Sequence, residues 1–328
     1  MAEQAEDRAL PPLSPEQRDE LGRRLGVEAL RFRLHREENR EKHFFGLVRW
    51  CPMKYAGPAA NLAFKCAGLW KRAHREFLDI RVREETFALP DLPEELSGFT
   101  ILHLSDLHAD ISPDLPGAIA DALASVAGRY DAAVVTGDFN NFTVHGDMVA
   151  VSIVSRLRPA FTAPVFGCLG NHDSVRDVPL LEKSGYRMLL NESTRIRRLG
   201  SAPDSPSLLL AGIDDPNIFR THDLARALSD RKSDEPVVLL SHAPSIHLEA
   251  ARAGVSLVLC GHVHGGQLCF PNGRSMALRH WNFPDHVRRG RWREGATQGY
   301  TTTGVGACGA PLRLNCPPEI VLVRLESA

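Results

Sequence analysis

The 328 residues are 43% hydrophobic and 24% charged, with a formal net charge of −1 at pH 7. That balance supports a proper core, excludes a disordered or fibrous chain, and argues against a bulk nucleic-acid binder, which normally shows excess positive charge. Seven cysteines with no Cys-x-x-Cys pair make a poor disulfide or structural-zinc framework. Cys168 and Cys260 sit in apolar runs, so a reducing cytoplasm fits best. The first residues are acidic where a signal peptide is basic and then apolar, and no run of roughly 18 apolar residues occurs.

Ser14-Pro15-Glu16-Gln17 reads as a helix start, with a capping serine, proline at the first helical position and glutamine completing a capping box. Leu21, Leu25, Ala29 and Phe32 follow at helical spacing, predicting a helix to about His43. Pro58 opens a second amphipathic segment with Leu62, Cys66, Leu69, Ala73 and Phe77 on one stripe and Lys65, Lys71, Arg72 and Arg75 on other faces. Such a helix either lies on an anionic membrane surface or packs against the rest of the protein. Pro90, Pro93 and nearby acids mark a linker, dividing the chain into a helical extension, 1–97, and a main domain, 98–328.

From Phe99 the pattern becomes short apolar strands alternating with helical segments. Strands are predicted at 100–105, 131–137, 163–169, 207–213, 236–241 and 255–260, with helices near 115–128, 147–157, 176–185, 222–230 and 244–252. Further strands without helices between them are read at 267–270, 300–305 and 319–325, which predicts an α/β domain with mixed sheet.

Ligands collect at the carboxyl ends of strands in α/β folds, and that is where the polar residues fall. Asp106 and His108 follow the first strand, Asp138 the second, and Asn171, His172 and Asp173 the third. His242 follows the fifth, and His262 and His264 the sixth, within Leu-Val-Leu-Cys-Gly-His-Val-His-Gly-Gly-Gln from Leu257 to Gln267. Any one of these is ordinarily a turn former or a satisfied core histidine; the whole set, at the same end of successive strands, is hard to obtain from turn chemistry. Mixed nitrogen and oxygen donors suit Mn, Fe or Zn. Two ions about 3.5–4 Å apart need a bridging carboxylate and would clamp both oxygens of a phosphoryl displacement.

In order, Asp106-Leu-His108, Gly137-Asp138, Gly170-Asn171-His172-Asp173, Ser241-His242 and Gly261-His262-Val-His264 resemble the motif set of the calcineurin-like metallophosphoesterases over roughly residues 98–326. Gly261 to Gln267 and Arg313-Leu-Asn-Cys316-Pro-Pro-Glu319-Ile320 are similar to a bacterial branch whose members often carry an N-terminal membrane segment; here that region offers only the interrupted amphipathic stretch. The resemblance implies a four-layer sandwich of two mixed β-sheets flanked by helices. It implies two divalent ions, with Mn favoured and Fe or Zn as alternatives. One would be held by Asp106, His108 and His264, the other by Asn171, His242 and His262, with Asp138 bridging. It also implies hydrolysis by a metal-bridging hydroxide, with His172 as proton donor and Asp173 either orienting it or serving a turn.

Around this set, Asp214-Asp215-Pro216 reads as a turn and His103 as core. Gly304, Gly306 and Gly309 bring backbone near the metals, and Arg313 either holds a substrate phosphate or is an ordinary surface arginine. Arg279 to Arg293, rich in arginine and aromatics, is a rim suited to an anionic substrate with an apolar part, or a solvated loop. The expected activity is hydrolysis of a phosphodiester or pyrophosphate bond. The specific case is a lipid-linked nucleotide such as UDP-2,3-diacylglucosamine of lipid A synthesis, handled in the cytoplasm or peripherally at the inner membrane. Alternatives are a soluble enzyme acting on cyclic nucleotides or phosphoproteins, and a catalytically inactive metal-binding scaffold; no nucleic acid is expected.

Overall fold

The computed structural model describes residues 10–44, 53–141, 148–233, 235–276 and 283–328. Each predicted strand of the first six forms, with tighter bounds. They are Phe99–Leu104 (β2), Ala132–Thr136 (β3), Val165–Cys168 (β4), Leu208–Gly212 (β7), Val237–Leu240 (β8) and Leu257–Cys260 (β9). Sequence reading missed Arg81–Leu89 (β1), Tyr186–Met188 (β5), Glu192–Ile196 (β6) and Gly290–Glu294 (β10); Thr297–Thr301 (β11) and Glu319–Ser327 (β12) complete the set. Residues 267–270 are not a strand and pair only through the bridges Leu268–Leu314 and Cys269–Ser275.

Two six-stranded sheets result, ordered β1-β12-β2-β3-β4-β5 and β10-β11-β9-β8-β7-β6. Both are mixed: β2 through β5 run parallel while β12 is antiparallel to β2, and β7, β8, β9 and β11 run parallel while β6 and β10 are antiparallel to their neighbours. Alternation along the strands builds the layers. Phe99, Ile101, Val134 and Phe166 of one sheet meet Leu208, Leu210, Val238 and Leu257 of the other in the central core. Leu102, Leu104, Ala133 and Val135 point outward to helices Leu115–Ser125, Met148–Leu157 and Val178–Lys183. On the far side, Leu209, Leu239 and Val258 pack under Leu224–Ala227 and His247–Arg252.

The predicted first helix breaks at Gly26, whose φ of 101° no ordinary residue adopts, into Pro15–Leu25 (α1) and Val27–Phe44 (α2). The expected capping box at Ser14 and Gln17 forms. Leu21, Leu25, Leu30 and Leu34 join the outer core of the first sheet. The second amphipathic segment is likewise two helices, Met53–Cys66 (α3) and Trp70–Leu78 (α4), with Ala73 and Phe77 buried. Residues 81–89, read from sequence within a helical extension, instead pair in parallel with β12 as the edge of the first sheet. The misreading has a physical cause: Arg81 to Glu84 are exposed, and only Phe87 and Leu89 reach the core. No helix among the described residues is long and apolar enough to cross a membrane.

Candidate metal centre

The loops leaving β2, β3, β4, β8 and β9 converge on one point. Asp106, His108, Asp138, His262 and His264 all have left-handed backbone, with φ from 40° to 71°. Each such residue costs about 1–3 kcal/mol, a strain usually found where a site demands it. Glycines make the convergence possible: a Cβ at Gly170 would lie 2.2 Å from Asp138 Oδ1, and one at Gly261 would lie 2.2 Å from Asp106 Oδ2.

Two buried groups of donors emerge, Asp106 with His108 and His264, and Asp138 with His242 and His262. In the first, His264 Nε2 stands 3.3 Å from Asp106 Oδ1 and 3.2 Å from His108 Nε2. In the second, His242 Nε2 stands 3.0 Å from Asn171 Oδ1, 3.1 Å from His262 Nδ1 and 3.2 Å from Asp138 Oδ2. The same Asp138 oxygen lies 3.7 Å from His108 Nε2, so it faces both groups. Ligand bonds of about 2.1 Å at right angles put neighbouring donors about 3.0 Å apart, which is the spacing observed.

Tautomers decide what these contacts are. His108 Nδ1 lies 2.8 Å from the Asn140 carbonyl and His242 Nδ1 lies 2.8 Å from the Thr136 carbonyl. A carbonyl only accepts, so Nδ1 carries the proton and the Nε2 lone pair points into the site. Lone pairs and carboxylates crowded at this range repel unless a cation sits among them. The field agrees. Burial opposes a charged His242, yet Asp138 and Asp106 outweigh it and push its pKa up to about 10, so their field draws a positive charge, a proton or in its place a metal ion, to Nε2. Asp138 is held well below the usual carboxylate range against its own burial, chiefly by His242 and His172. The donor set therefore fits divalent metal ions.

The calcineurin-like phosphoesterase profile matches residues 99–266. An uncharacterized metallophosphoesterase of Aquifex aeolicus is 30% identical over 269 residues, covering 77% of this chain and 95% of its own length. Phosphodiesterase YaeI of Escherichia coli is 32% identical over 240 residues, 69% of this chain and 82% of that one. A transmembrane protein with metallophosphoesterase domain from Danio rerio is 30% identical over 72% of this chain, which spans 55% of that protein. The chain belongs to the calcineurin-like phosphoesterase family. It is accordingly a phosphoric ester hydrolase of a family that depends on two metal ions.

Other sequence expectations meet this phosphoesterase geometry differently. His172 stands beside the donors: its backbone N–H donates to Asp138 Oδ1 at 2.7 Å, and its ring lies edge-on to His108 with centroids 5.0 Å apart. Its Nδ1 is 2.7 Å from the Asn141 carbonyl, so Nδ1 carries a proton. Asp173 does not orient that ring. Its buried carboxylate accepts from the backbone N–H groups of Asp138, Phe139, Asn140 and Gly170, tying two metal-site loops together, and it makes no bond to His172 that would support a catalytic role.

Arg313 is not a substrate-binding residue. It is fully buried, and its guanidinium donates to the carbonyls of Gly306, Thr303 and Cys316. It clamps the 303–306 segment whose Val305 and Gly306 N–H groups bond to Ser105 and Asp106. Arg313→Met should leave these carbonyls unpaired at about 1–3 kcal/mol each. The expected result is a large drop in melting temperature with KM of the folded fraction unchanged, read by thermal melts and steady-state kinetics; a selective rise in KM would restore the substrate-binding role.

Asp215 forms a turn as read, accepting from the backbone of Asn217, Ile218 and Phe219, whereas Asp214, equally buried, is more than a turn former and pairs with Arg33. His103 is core as expected, its pKa lowered to about 3 by burial. Arg279, His280 and Trp281 lie outside the described residues; Trp292 is buried in the second sheet's outer core, and Phe283, buried there too, lies with its ring centroid 6.5 Å from that of His262. Two neighbours of the centre were not read from sequence. The Asn217 side-chain amide is 2.8 Å from His262 Nε2, and Cys308 Sγ is 3.9 Å from His172 Nε2. Neither belongs to a motif with recognisable spacing.

Proposed function

We propose that this protein hydrolyses a phosphodiester or pyrophosphate bond with two divalent ions, Mn preferred over Fe or Zn. The single observation behind this reading is the pair of donor groups sharing the Asp138 carboxylate. Bound there, two cations would supply a nucleophilic hydroxide near neutral pH and offset charge on the phosphoryl oxygens. Asp138 ties the backbone of His172 to the same centre, and Asn141 holds its ring in the tautomer that leaves Nε2 to protonate the departing oxygen. The inactive-scaffold reading loses to a complete ligand set. Purified protein with Mn should hydrolyse bis-p-nitrophenyl phosphate and lose at least about 100-fold in rate on chelation, since removal of an outer-shell partner alone costs roughly 10- to 100-fold. A chelator-insensitive rate would refute the metal reading.

The substrate we favour is a lipid-linked nucleotide such as UDP-2,3-diacylglucosamine, met at an anionic membrane surface on the cytoplasmic side. Support comes from α3 and α4. Pro58, Ala59, Leu62, Ala63, Cys66 and Leu69 are exposed, Leu62 to 64%, and Lys65, Lys71, Arg72 and Arg75 border them. At Gly57, α3 rests on the Gly309 carbonyl, one residue from the Cys308 that touches His172. Release of UMP from UDP-2,3-diacylglucosamine in detergent micelles tests the substrate, and no release with any metal removes it. Leu62→Asp combined with Lys71→Glu and Arg75→Glu should cut co-sedimentation with anionic liposomes at least tenfold, since each basic residue contributes about 1 kcal/mol. Undiminished binding would exclude this patch as the anchor.

A further inference from the structure

We infer that Arg33 and Glu37 of α2 are positioning residues for one donor group, that of Asn171, His242 and His262, and not for the group of Asp106, His108 and His264. The inference rests on the two-metal reading above.

Arg33 is fully buried, and a buried guanidinium is costly unless every face of it is satisfied. Here its plane stacks 3.5 Å from the Phe219 ring centroid. Nη1 donates to Asp214 Oδ1, Nε to Glu37 Oε1 and Nη2 to the Asp173 carbonyl, each at 2.8 Å. The Glu37 carboxylate in turn accepts from Ser174 Oγ at 2.7 Å and from Val175 N at 2.9 Å. One turn along, Arg36 donates to the Ile218 carbonyl at 2.6 Å.

These bonds grip two loops. The 170–175 loop carries Asn171, whose Oδ1 faces His242. The 214–221 loop carries Asn217, whose amide meets His262 Nε2. Asn217 Nδ2 faces His262 Nε2 at 2.8 Å; ligation through His262 Nδ1 would put the proton on Nε2 and take the flipped amide, with the Asn217 oxygen accepting. Both loops therefore serve the same donor group. The other group is braced mainly from elsewhere: Val305 and Gly306 hold the Asp106 strand end and Cys316 contacts the His264 carbonyl, while His108 leans on Asn140, which the 170–175 loop reaches only through the Asp173 carboxylate. Among the described residues, none of the hydrogen bonds of Arg33, Arg36 or Glu37 reaches Asp106, His108 or His264. Apolar side chains of similar volume would fill the same space without desolvating three charges, so the charged cluster is explained by the loop geometry it dictates.

The test is Mn binding to the full chain, by calorimetric titration and by metal content after dialysis against low Mn, for wild type, Glu37→Gln and Arg33→Lys. Lysine keeps the charge and loses the planar fork. Wild type should bind two equivalents. Each variant should keep one equivalent at wild-type affinity while the other weakens roughly 10- to 100-fold, as for loss of an outer-shell partner. The weakened equivalent should be the one that Asn171→Ala removes, with the double variant showing non-additive effects. Unchanged binding overturns the inference, and so does equal weakening of both equivalents, which is what a general structural role would produce. If Arg33→Lys does not fold, Glu37→Gln, nearly isosteric, decides alone by the same criteria. A wild type binding fewer than two equivalents sinks the two-metal reading itself, and this inference with it.

Discussion

Asp138→Asn should abolish two-metal binding and lower kcat by more than the roughly 10- to 100-fold typical of losing an outer-shell partner. The substitution is conservative where it matters for folding: the amide oxygen can still accept the His172 N–H now held at 2.7 Å by Oδ1. What it removes is the Oδ2 charge that faces His242 at 3.2 Å and His108 at 3.7 Å. An amide nitrogen in its place presents hydrogens to two imidazoles and to any cation. The variant should therefore fold with a melting temperature near wild type while its metal content drops to one equivalent or less. Measurement of bound metal alongside kcat checks both halves. A variant that retains two equivalents and most of its rate would show that Asp138 does not bridge.

His172→Ala should separate proton donation from metal binding. The side chain is no member of either donor group, so metal content should stay at the wild-type level. Positioned acids contribute about 10²–10⁴-fold, and that loss should appear in kcat for an alkyl phosphodiester, whose leaving oxygen needs a proton. For a p-nitrophenyl ester, whose leaving group departs as a stable anion, the loss should be much smaller. Since Nδ1 is committed to the Asn141 carbonyl, the transferred proton is the one on Nε2, and the active form is the imidazolium. Equal losses on both substrates would assign His172 to charge stabilisation instead.

The candidate metal centre was legible in the sequence because its parts are local. Each ligand follows directly on an apolar strand, and burial of a strand dictates where its carboxyl end emerges. Asp106, His108, Asp138, Asn171, His242, His262 and His264 are brought together as that reasoning expected. Asp173 and Arg313 were misread for the opposite reason. Each lies beside a motif, but its partners are the loop backbones of Asp138 to Asn140 in one case and of Thr303 to Gly306 in the other. Polar residue type signals chemistry equally well whether the partner is a substrate or a buried carbonyl.

The sequence by itself determined the alternation of strands and helices and the mixed sheets, since apolar periodicity is a property of short stretches; strand-end position gathered the polar residues, and the resemblance of their motifs named seven of them as candidate donors. Only the tertiary structure decided what joins distant stretches. Edge strand Arg81–Leu89 finds its partner in Glu319–Ser327, across most of the chain. Arg33 looks like any charged residue on an amphipathic helix, yet it is buried against Asp214 and Asp173, where its charge is tolerable only because those partners arrive with it. Pairing and desolvation depend on which surfaces meet, and no window of sequence contains that.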